Sequence, residues 1–432
     1  MGKTTAIKTT AEIVDHFFRH ESARVISHLT AHFGTKHLEE AEDAIQEALI
    51  KAMNSWPFRT VPDNPSAWIL TVARNKMIDT LRRKKKIINQ EDETLNQKLE
   101  AQSEPTCLSD IELEDHLKDD LLKMMFACCH PSLTVESQII LTLRILCGLG
   151  SSEVARALLK KDEAVAKAYT RAKQKLKEND IKPVVPSAKN AGKRLGVILK
   201  VLYLLFNEGY KSSVGGDLIK KDLCLESMRL TKILCDGPFG KRPELNALLA
   251  LMCFHTSRFD SRIGGEGELL TLEEQDRSSW NAELIETGSF YFHRSFKDDV
   301  FETMTEYHIQ AAMAGLHCQA KNYDDTDWKQ LLDLYDMQMI SKPSPVVELN
   351  RLVVFAKVHG QAKALQELLQ LEDQAFLSNY YLYYAIKGDL LSQLGKAKEA
   401  CIALTKAIEL TDNIAEKRHL EKKVLGMETF KP

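Results

Sequence analysis

The sequence lacks long apolar runs, a targeting segment and any regular cysteine pattern. No stretch approaches the roughly 20 apolar residues that a membrane-spanning helix needs, and the longest candidate, 197–206, is interrupted by Lys200. The first ten residues are polar and do not form an apolar leader. The nine cysteines are irregularly spaced without a CxxC pair, which disfavours a disulfide framework or a zinc knuckle. We therefore expect a cytoplasmic protein with no membrane segment.

Catalytic and metal-binding motifs are also missing. There is no nucleophile elbow, phosphate-binding loop or HExxH pattern, so an enzyme is not expected. Cys128, Cys129 and His130 are adjacent, but the apolar residues around them favour buried thiols. His28 and His32 have a spacing that can bind metal on a helix, yet no sequence motif supplies a carboxylate. We expect no metal and no cofactor.

Nearly every segment has helical periodicity, and none alternates convincingly as a strand, which predicts an all-α fold. A length of 432 residues predicts two to four domains. Glycine and proline clusters and a charged stretch at 89–109 give the boundaries. The predicted segments are a helical domain at 11–87, an acidic flexible linker at 88–118, a second helical domain at 119–180, a helical extension at 190–335 and helical repeats at 336–428.

Two basic helices are separated by an acidic stretch. The first runs roughly from 65 to 86 and the second from 164 to 177, while residues 89–120 contain eleven Asp or Glu and two Lys. Since phosphate neutralisation supplies most sequence-independent affinity for nucleic acid, this pattern indicates a polyanion held at two places, with DNA the obvious candidate.

The first basic helix has an apolar stripe and a mixed polar face. Amides and guanidinium groups beside Trp68 can contact base edges as well as phosphates. The stripe consists of Ile69, Val72, Ala73, Met77 and Leu81. The polar face consists of Asn75, Asp79, Arg82 and Lys86, flanked by Arg74 and Arg83. These side chains are the first candidate DNA-binding set.

The second basic region has the pattern of a helix-turn-helix. A short helix is predicted over 151–159, a turn over 160–163 with Asp162 as N-cap, and a second helix from Ala164. Such a second helix can enter the major groove of DNA. Its candidate DNA-binding residues are Lys167, Thr170, Arg171, Lys173 and Gln174.

An acidic face and a repeat complete the pattern. Asp43, Gln46 and Glu47 lie together on a predicted helix over 41–55, opposite its apolar stripe. Near the C-terminus, GQAK at 360–363 recurs as GKAK at 395–398, a shift of 35 residues that is similar to a tetratricopeptide repeat. Stacked helix pairs of this kind usually present a concave surface to another protein.

Several stretches together resemble the extracytoplasmic-function sigma factors, in the subgroup with a C-terminal extension ending in tetratricopeptide-like repeats. The first domain's stretches are DAIQEA at 43–48, AWILTVARN at 67–75 and DTLRR at 79–83. Residues 119–178 are similar to the family's fourth domain. The extension's stretches are LYLLFNEGY at 202–210, LEEQDRSSW at 272–280, DTDW at 325–328 and SPVVELNR at 344–351.

The resemblance implies a role in transcription initiation. The face of Asp43, Gln46 and Glu47 would bind core RNA polymerase. The first basic helix would contact the −10 promoter element, and the second would read the −35 element. The extension would regulate or support this activity, alone or through a protein partner.

Two alternatives remain open at this point. A one-component regulator with a helix-turn-helix and a sensory repeat domain would explain residues 119–432, but it leaves the helix of Asp43 and the first basic helix without a role. A polar pocket in the middle region is the other alternative, as a ligand site or, less readily, a catalytic one. Its candidate residues are Asn207, Glu208, His255, Glu273 to Arg277, Asp325 and Asp327.

Overall fold

The computed structural model describes residues 22–56, 61–88, 110–158, 160–210, 221–264, 270–296, 304–371, 377–411 and 414–428. These residues form α-helices, short 3-10 turns and one π-helical turn, with no extended strand among them, which confirms the all-α prediction. None of the helices in these ranges combines the length and the apolar character needed to cross a bilayer.

The described residues divide into two compact units, which are treated separately. Unit 1 comprises Met1–Leu205 and Leu225–Leu234, and unit 2 comprises Phe206–Cys224 and Cys235–Pro432. The helices of unit 1 are α1 (Ser22–Phe33), α2 (Leu38–Ser55), α3 (Pro65–Ile88), α4 (Asp110–Cys128), α5 (Val135–Leu141), α6 (Ser151–Ala157) and α7 (Asp162–Glu178). Two further helices contribute residues to both units, α8 (Ala188–Tyr210) and α9 (Lys221–Asp236).

Helix α3 starts where the local sequence requires it. The Asn64 side chain accepts a hydrogen bond from the backbone N–H of Ala67 (2.9 Å), and Pro65 occupies the first helical position. The predicted apolar stripe is buried except for Val72, which is partly exposed, and Ile69, Met77 and Leu81 are almost fully covered by the packing of α3 on α2 and its neighbours. The polar face of α3 is therefore turned away from the core.

Helix α4 corrects the predicted linker. The helix begins at Asp110, so residues 110–118 are helical rather than part of a flexible connection. Its apolar residues Leu121 and Met124 are fully buried in unit 1, where α4 packs on α1. Apolar burial on a neighbouring helix stabilises this charged segment as a helix, which composition alone does not reveal. Residues 89–109 lie outside the described residues.

Helices α6 and α7 lie at both positions predicted for the helix-turn-helix. The predicted N-cap is wrong, because Asp162 is the first residue of α7 and Lys161 precedes it as the cap without a side-chain hydrogen bond. The Asp162 carboxylate instead accepts a hydrogen bond from the Ser152 hydroxyl (2.6 Å). That bond ties the first turn of α7 to α6.

Unit 2 is organised around an apolar helix. Its remaining helices are α10 (Pro243–Thr256), α11 (Ala282–Arg294), α12 (Glu306–Gln319), α13 (Trp328–Ser341), α14 (Pro345–His359), α15 (Gln361–Gln370), α16 (Tyr381–Gln393), α17 (Ala397–Leu410) and α18 (Ile414–Glu428). Every residue of α10 except Glu244 and His255 is buried, and α11 and α12 pack against it. A helix that is apolar on all sides is typical of a domain centre.

The 35-residue shift corresponds to two helix pairs. Gly360 joins α14 to α15 and Gly395 stands between α16 and α17, with φ values of 91° and 77°. Only glycine adopts such left-handed conformations without steric cost. Within the second pair the helices approach closely at Gly388 of α16, which faces Leu404 and Ala400 of α17. The repeated sequence thus marks equivalent turns.

Replacing Gly388 with alanine is expected to destabilise unit 2 by about 1–2 kcal/mol. A Cβ atom there would lie 2.6 Å from Cγ of Leu404 and 3.3 Å from the Ala400 carbonyl oxygen, so the α16–α17 pair would have to separate. Gly426→Ala in α18 is the matched control, because a Cβ at Gly426 meets no atom within 4 Å. In urea unfolding, the free energy of unfolding of Gly426→Ala should equal or exceed that of the parent protein. An equal decrease in both variants would contradict the close packing of α16 on α17.

Candidate functional site

The acidic face of α2 is largely open to solvent. Asp43 and Gln46 are exposed, as the sequence predicts. Glu47 is partly exposed and forms ion pairs with Lys76 of α3 and with Lys51 (3.4 Å). The hydrogen bond from Lys76 lowers the pKa of Glu47. Asp43 and Gln46 are thus accessible to a binding partner, while Glu47 also links α2 to α3 through its ion pair with Lys76.

The polar face of α3 is exposed beside it. Asn75, Asp79, Arg82 and Arg83 are all exposed, and Arg83 Nε donates a hydrogen bond to the Asp79 carbonyl oxygen (3.4 Å). The side chain of Lys86 lies outside the described residues. A mixed surface of amide, carboxylate and guanidinium groups can address both phosphates and base edges.

The two remaining candidates on α3 are less accessible. Trp68 is partly buried and its ring meets that of Trp56 edge-on, with 5.4 Å between ring centroids. Arg74 is also partly buried, and burial lowers the pKa of its guanidinium group. These two side chains border the exposed face rather than form its centre.

The partly buried carboxylate of Glu40 links α2 to α3. Glu40 accepts a hydrogen bond from Lys84 Nζ (2.8 Å), and His37 Nδ1 lies 3.7 Å from the same carboxylate. Burial alone would raise the pKa of Glu40, but the nearby His37 ring and the hydrogen bond from Lys84 outweigh it and lower the pKa to about 2. The acidic and basic faces therefore share one rigid helix pair.

Helix α7 presents most of its predicted DNA-binding residues. Lys167, Thr170, Arg171 and Gln174 are exposed on one side. Thr170 donates to the Ala166 carbonyl oxygen (3.1 Å), and both groups remain on the outer surface. Because the opposite stripe of Val165, Ala172 and Leu176 is fully buried, this side is the one that a groove could contact.

Lys173, the fifth residue predicted as a DNA contact on α7, does not share that exposed side. Its ammonium group bonds to Glu42 (2.8 Å) and lies 3.5 Å from Glu39, both on α2, and only 15% of its side chain is exposed. The same group lies 4.9 Å from the centroid of the Tyr169 ring. Two carboxylates and an aromatic face hold this cation more firmly than solvent does.

Glu42 and Tyr169 are residues that the sequence did not single out. The Tyr169 hydroxyl donates a hydrogen bond to Glu42, and burial raises the pKa of Tyr169. Together with Lys173 and Glu39 they form what we name the α2–α7 clasp: Glu39, Glu42, Tyr169 and Lys173. The sequence does contain one local signal for the clasp. Tyr169 and Lys173 are one turn apart on α7, and Glu39 and Glu42 are one turn apart on α2, so each pair lies on one face of its helix.

A His–His–Asp group joins α1 to α4. Asp120 bonds to His28 (2.9 Å) and to Lys123 (3.0 Å), and the possible ligand atoms of His28, His32 and Asp120 lie within 4.8 Å of one another. The sequence predicted no metal, and it could not place this carboxylate 92 positions away. Burial would raise the pKa of Asp120, but hydrogen bonds from His28 and Lys123 lower it, so the group is already neutralised as an ion pair.

The cysteines at the end of α4 are buried thiols, as predicted. Cys128 and Cys129 are fully covered, and burial raises the pKa of Cys129 to about 12. A neutral thiol of this kind is a poor nucleophile and a poor metal ligand. Cys107 lies outside the described residues.

Comparison with known proteins connects this geometry to a family. Residues 17–87 match the model of the family described as Sigma-70 region 2, and residues 194–296 match that of a family of unknown function (DUF6596). An uncharacterized protein of Rhizobium meliloti (strain 1021), R00370, is 35% identical over 385 residues, which is 89% of this chain and 89% of that protein. No solved structure matches the chain significantly. The chain therefore belongs to the family of this Rhizobium meliloti protein and carries a sigma-70 region 2 at its N-terminal end, which indicates a sigma-factor-like role in transcription initiation.

Proposed function

We propose that the protein is a sigma factor of the extracytoplasmic-function class that directs core RNA polymerase to specific promoters. The observation that carries this proposal is the α2–α3 pair, which exposes an acidic face at Asp43 and Gln46 and a mixed basic face at Asn75, Asp79 and Arg82. A factor that bridges a polymerase and its DNA needs two such faces fixed to one another. The direct packing of α2 on α3 supplies that rigidity, and the Glu40–Lys84 and Glu47–Lys76 ion pairs add to it.

The contact with the −10 element is assigned to α3. Exposed Arg82 and Arg83 would neutralise phosphates, and Asn75 and Asp79 would address base edges of the opened strand. Moving a base out of the DNA stack costs a free energy of a few kcal/mol, and contacts of this kind must offset that cost. Trp68 and Arg74 would support the edge of the face.

The contact with the −35 element is assigned to α7. Lys167 and Arg171 would neutralise phosphates, while Thr170 and Gln174 lie on the same side and can reach base edges. The α2–α7 clasp holds this helix against α2 in the described structure, so the −35 contacts would come from the outer side of α7 alone.

The C-terminal part is assigned a regulatory or supporting role. Helices α14 to α17 form the two pairs that correspond to the proposed tetratricopeptide-like repeats. An open cleft of about 600 Å³ lies among α14, α16, α18 and residues 271–274, with Lys357, Asp389 and His419 in its lining. A cleft of mixed charge on stacked helix pairs is suited to a protein partner.

In vitro transcription tests the proposal directly. Purified full-length protein is added to core RNA polymerase with a pool of genomic DNA fragments, and the 5′ ends of the transcripts are mapped. We expect discrete start sites that share an upstream motif and are absent with the core enzyme alone. Duplex DNA binding without any complex with the core enzyme would instead favour a one-component regulator.

A further inference from the structure

Unit 2 buries arginines without acidic partners. Arg258 and Arg262 follow α10 on either side of a short 3-10 turn (Phe259–Ser261) and are only 7% and 6% exposed. Among the described residues no carboxylate forms an ion pair with either side chain. Removing a cation from water is expensive unless a counter-charge or several hydrogen bonds replace the solvent.

The groups that contact these two arginines carry no negative charge. Arg258 Nη2 lies 2.7 Å from the Tyr210 hydroxyl and 2.9 Å from Nδ1 of His255. Arg262 Nη1 donates to the Tyr210 carbonyl oxygen (2.9 Å), and its guanidinium carbon lies 3.7 Å from the centroid of the Tyr210 ring. Each guanidinium group has five N–H donors, so these contacts occupy a minority of the donors. None of the contacts neutralises the positive charge.

A third arginine and a tryptophan extend the cluster. The Trp280 ring lies 5.6 Å from the guanidinium carbon of Arg258 and 5.0 Å from that of Arg277. Arg277 Nη1 donates to backbone carbonyls, those of His317 and Ala320, which carry no net charge. The buried indole N–H of Trp280 and Nε of Arg277 have no acceptor among the described residues.

The pKa of the nearby His317 is lowered mainly by burial and also by two of these arginines. The two arginines are Arg258 and Arg277, and the pKa of His317 falls to about 3. Burial also lowers the pKa of Arg262, with Arg258 contributing. Unused donors and an excess of positive charge therefore coincide at one place, where Asp325 is the acidic group that acts on Arg277.

We propose that Tyr210, Arg258, Arg262, Arg277 and Trp280, named here the arginine cluster, bind a small ligand through a phosphate group. Three guanidinium groups match a group that carries a charge of about −1.5 to −2 at pH 7 and three acceptor oxygens. Planar guanidinium forks bind phosphate oxygens in pairs. Tyr210 and His255 are partly exposed, so the edge of the cluster reaches solvent.

The site gives a role to motifs that the proposed function leaves unexplained. The stretch 202–210 ends at Tyr210, and 272–280 contains Arg277 and Trp280. All five residues of the cluster fall within 194–296, the residues matched to the family of unknown function. Other pocket candidates have structural roles instead, since Asp276 and Asp327 cap helical turns and Glu274 bonds to Thr271.

The test uses the full-length protein and inorganic phosphate as the probe. Isothermal titration is carried out in chloride buffers of matched ionic strength. Phosphate also stabilises proteins generally by exclusion from their surfaces, so a saturable signal with a stoichiometry near one is the required result. We expect Arg262→Lys, which keeps the charge and loses the fork, to weaken binding about tenfold. Succinate is the second probe, and we expect it to bind more weakly than phosphate.

Two further variants make the outcome decisive. Arg418→Lys alters an exposed arginine of α18 and should leave phosphate binding unchanged. If circular dichroism shows that Arg262→Lys is unfolded, Trp280→Phe replaces it, because it keeps a ring and removes the indole N–H. Absence of a saturable signal, equal affinity in the cluster variant and the parent protein, or tighter binding of succinate would overturn the proposal.

Discussion

Reversing the charge at Asp43 to lysine is expected to abolish stable binding to core RNA polymerase and, with it, promoter-specific transcription. Asp43 is exposed on α2, so its replacement should not disturb the fold. A lysine would face the positively charged partner that the acidic face is proposed to meet, and like charges across an interface cost several kcal/mol. The expected loss in affinity is at least about tenfold, measured by titrating labelled protein with core enzyme.

The control variant must add the same charge elsewhere. Glu283→Lys does so at an exposed position in the first turn of α11, in unit 2. Glu47 is unsuitable as the primary target, because its reversal would also break the ion pair with Lys76. Unchanged affinity for Asp43→Lys, or an equal loss for Glu283→Lys, would refute the assignment of the polymerase-binding face.

Local sequence signals explain why the helices could be predicted. Asn64 and Pro65 define the start of α3, and the spacing of Ile69, Met77 and Leu81 identifies its buried side. Once the buried side is known, the exposed side follows from a period of 3.6 residues. The same reasoning identified Asp43 and Gln46 on α2 and four of the five residues on α7.

Contacts between distant segments could not be predicted in this way. Periodicity shows which residues of a helix are buried, but not which element covers the flanks of its apolar stripe. Lys173 lies on such a flank, and its partner Glu42 is 131 positions earlier. Asp120 meets His28 across 92 positions for the same reason, because both depend on how α4 packs on α1.

The arginine cluster illustrates a different limit. The sequence motifs around Tyr210 and Trp280 suggested a polar pocket, but the predicted members were mainly acidic. In the structure several of those acids satisfy backbone N–H groups in caps and turns, which is a common use of Asp and Glu. The cations remain because neutral carbonyl and hydroxyl groups hold them without cancelling their charge.

The assignment of α7 leads to a second prediction, in which neighbouring cations behave differently. Arg171→Ala is expected to weaken binding of the holoenzyme to a mapped promoter and to reduce the salt dependence by about one counterion. Lys173→Ala is expected to leave that slope unchanged, because its ammonium group bonds to Glu42 and Glu39 instead of facing outward. It should lower the free energy of unfolding by about 1–2 kcal/mol, since the Glu42 carboxylate loses its cation.

These two variants are compared by promoter binding at several salt concentrations and by urea unfolding. Arg418→Ala removes an exposed positive charge in unit 2 and serves as the control for net charge. The opposite pattern, with Lys173→Ala reducing the salt slope and Arg171→Ala reducing only stability, would show that α7 presents its other side to DNA. The α2–α7 clasp would then have to open before the promoter is bound, because Lys173 cannot neutralise a phosphate while it bonds to Glu42.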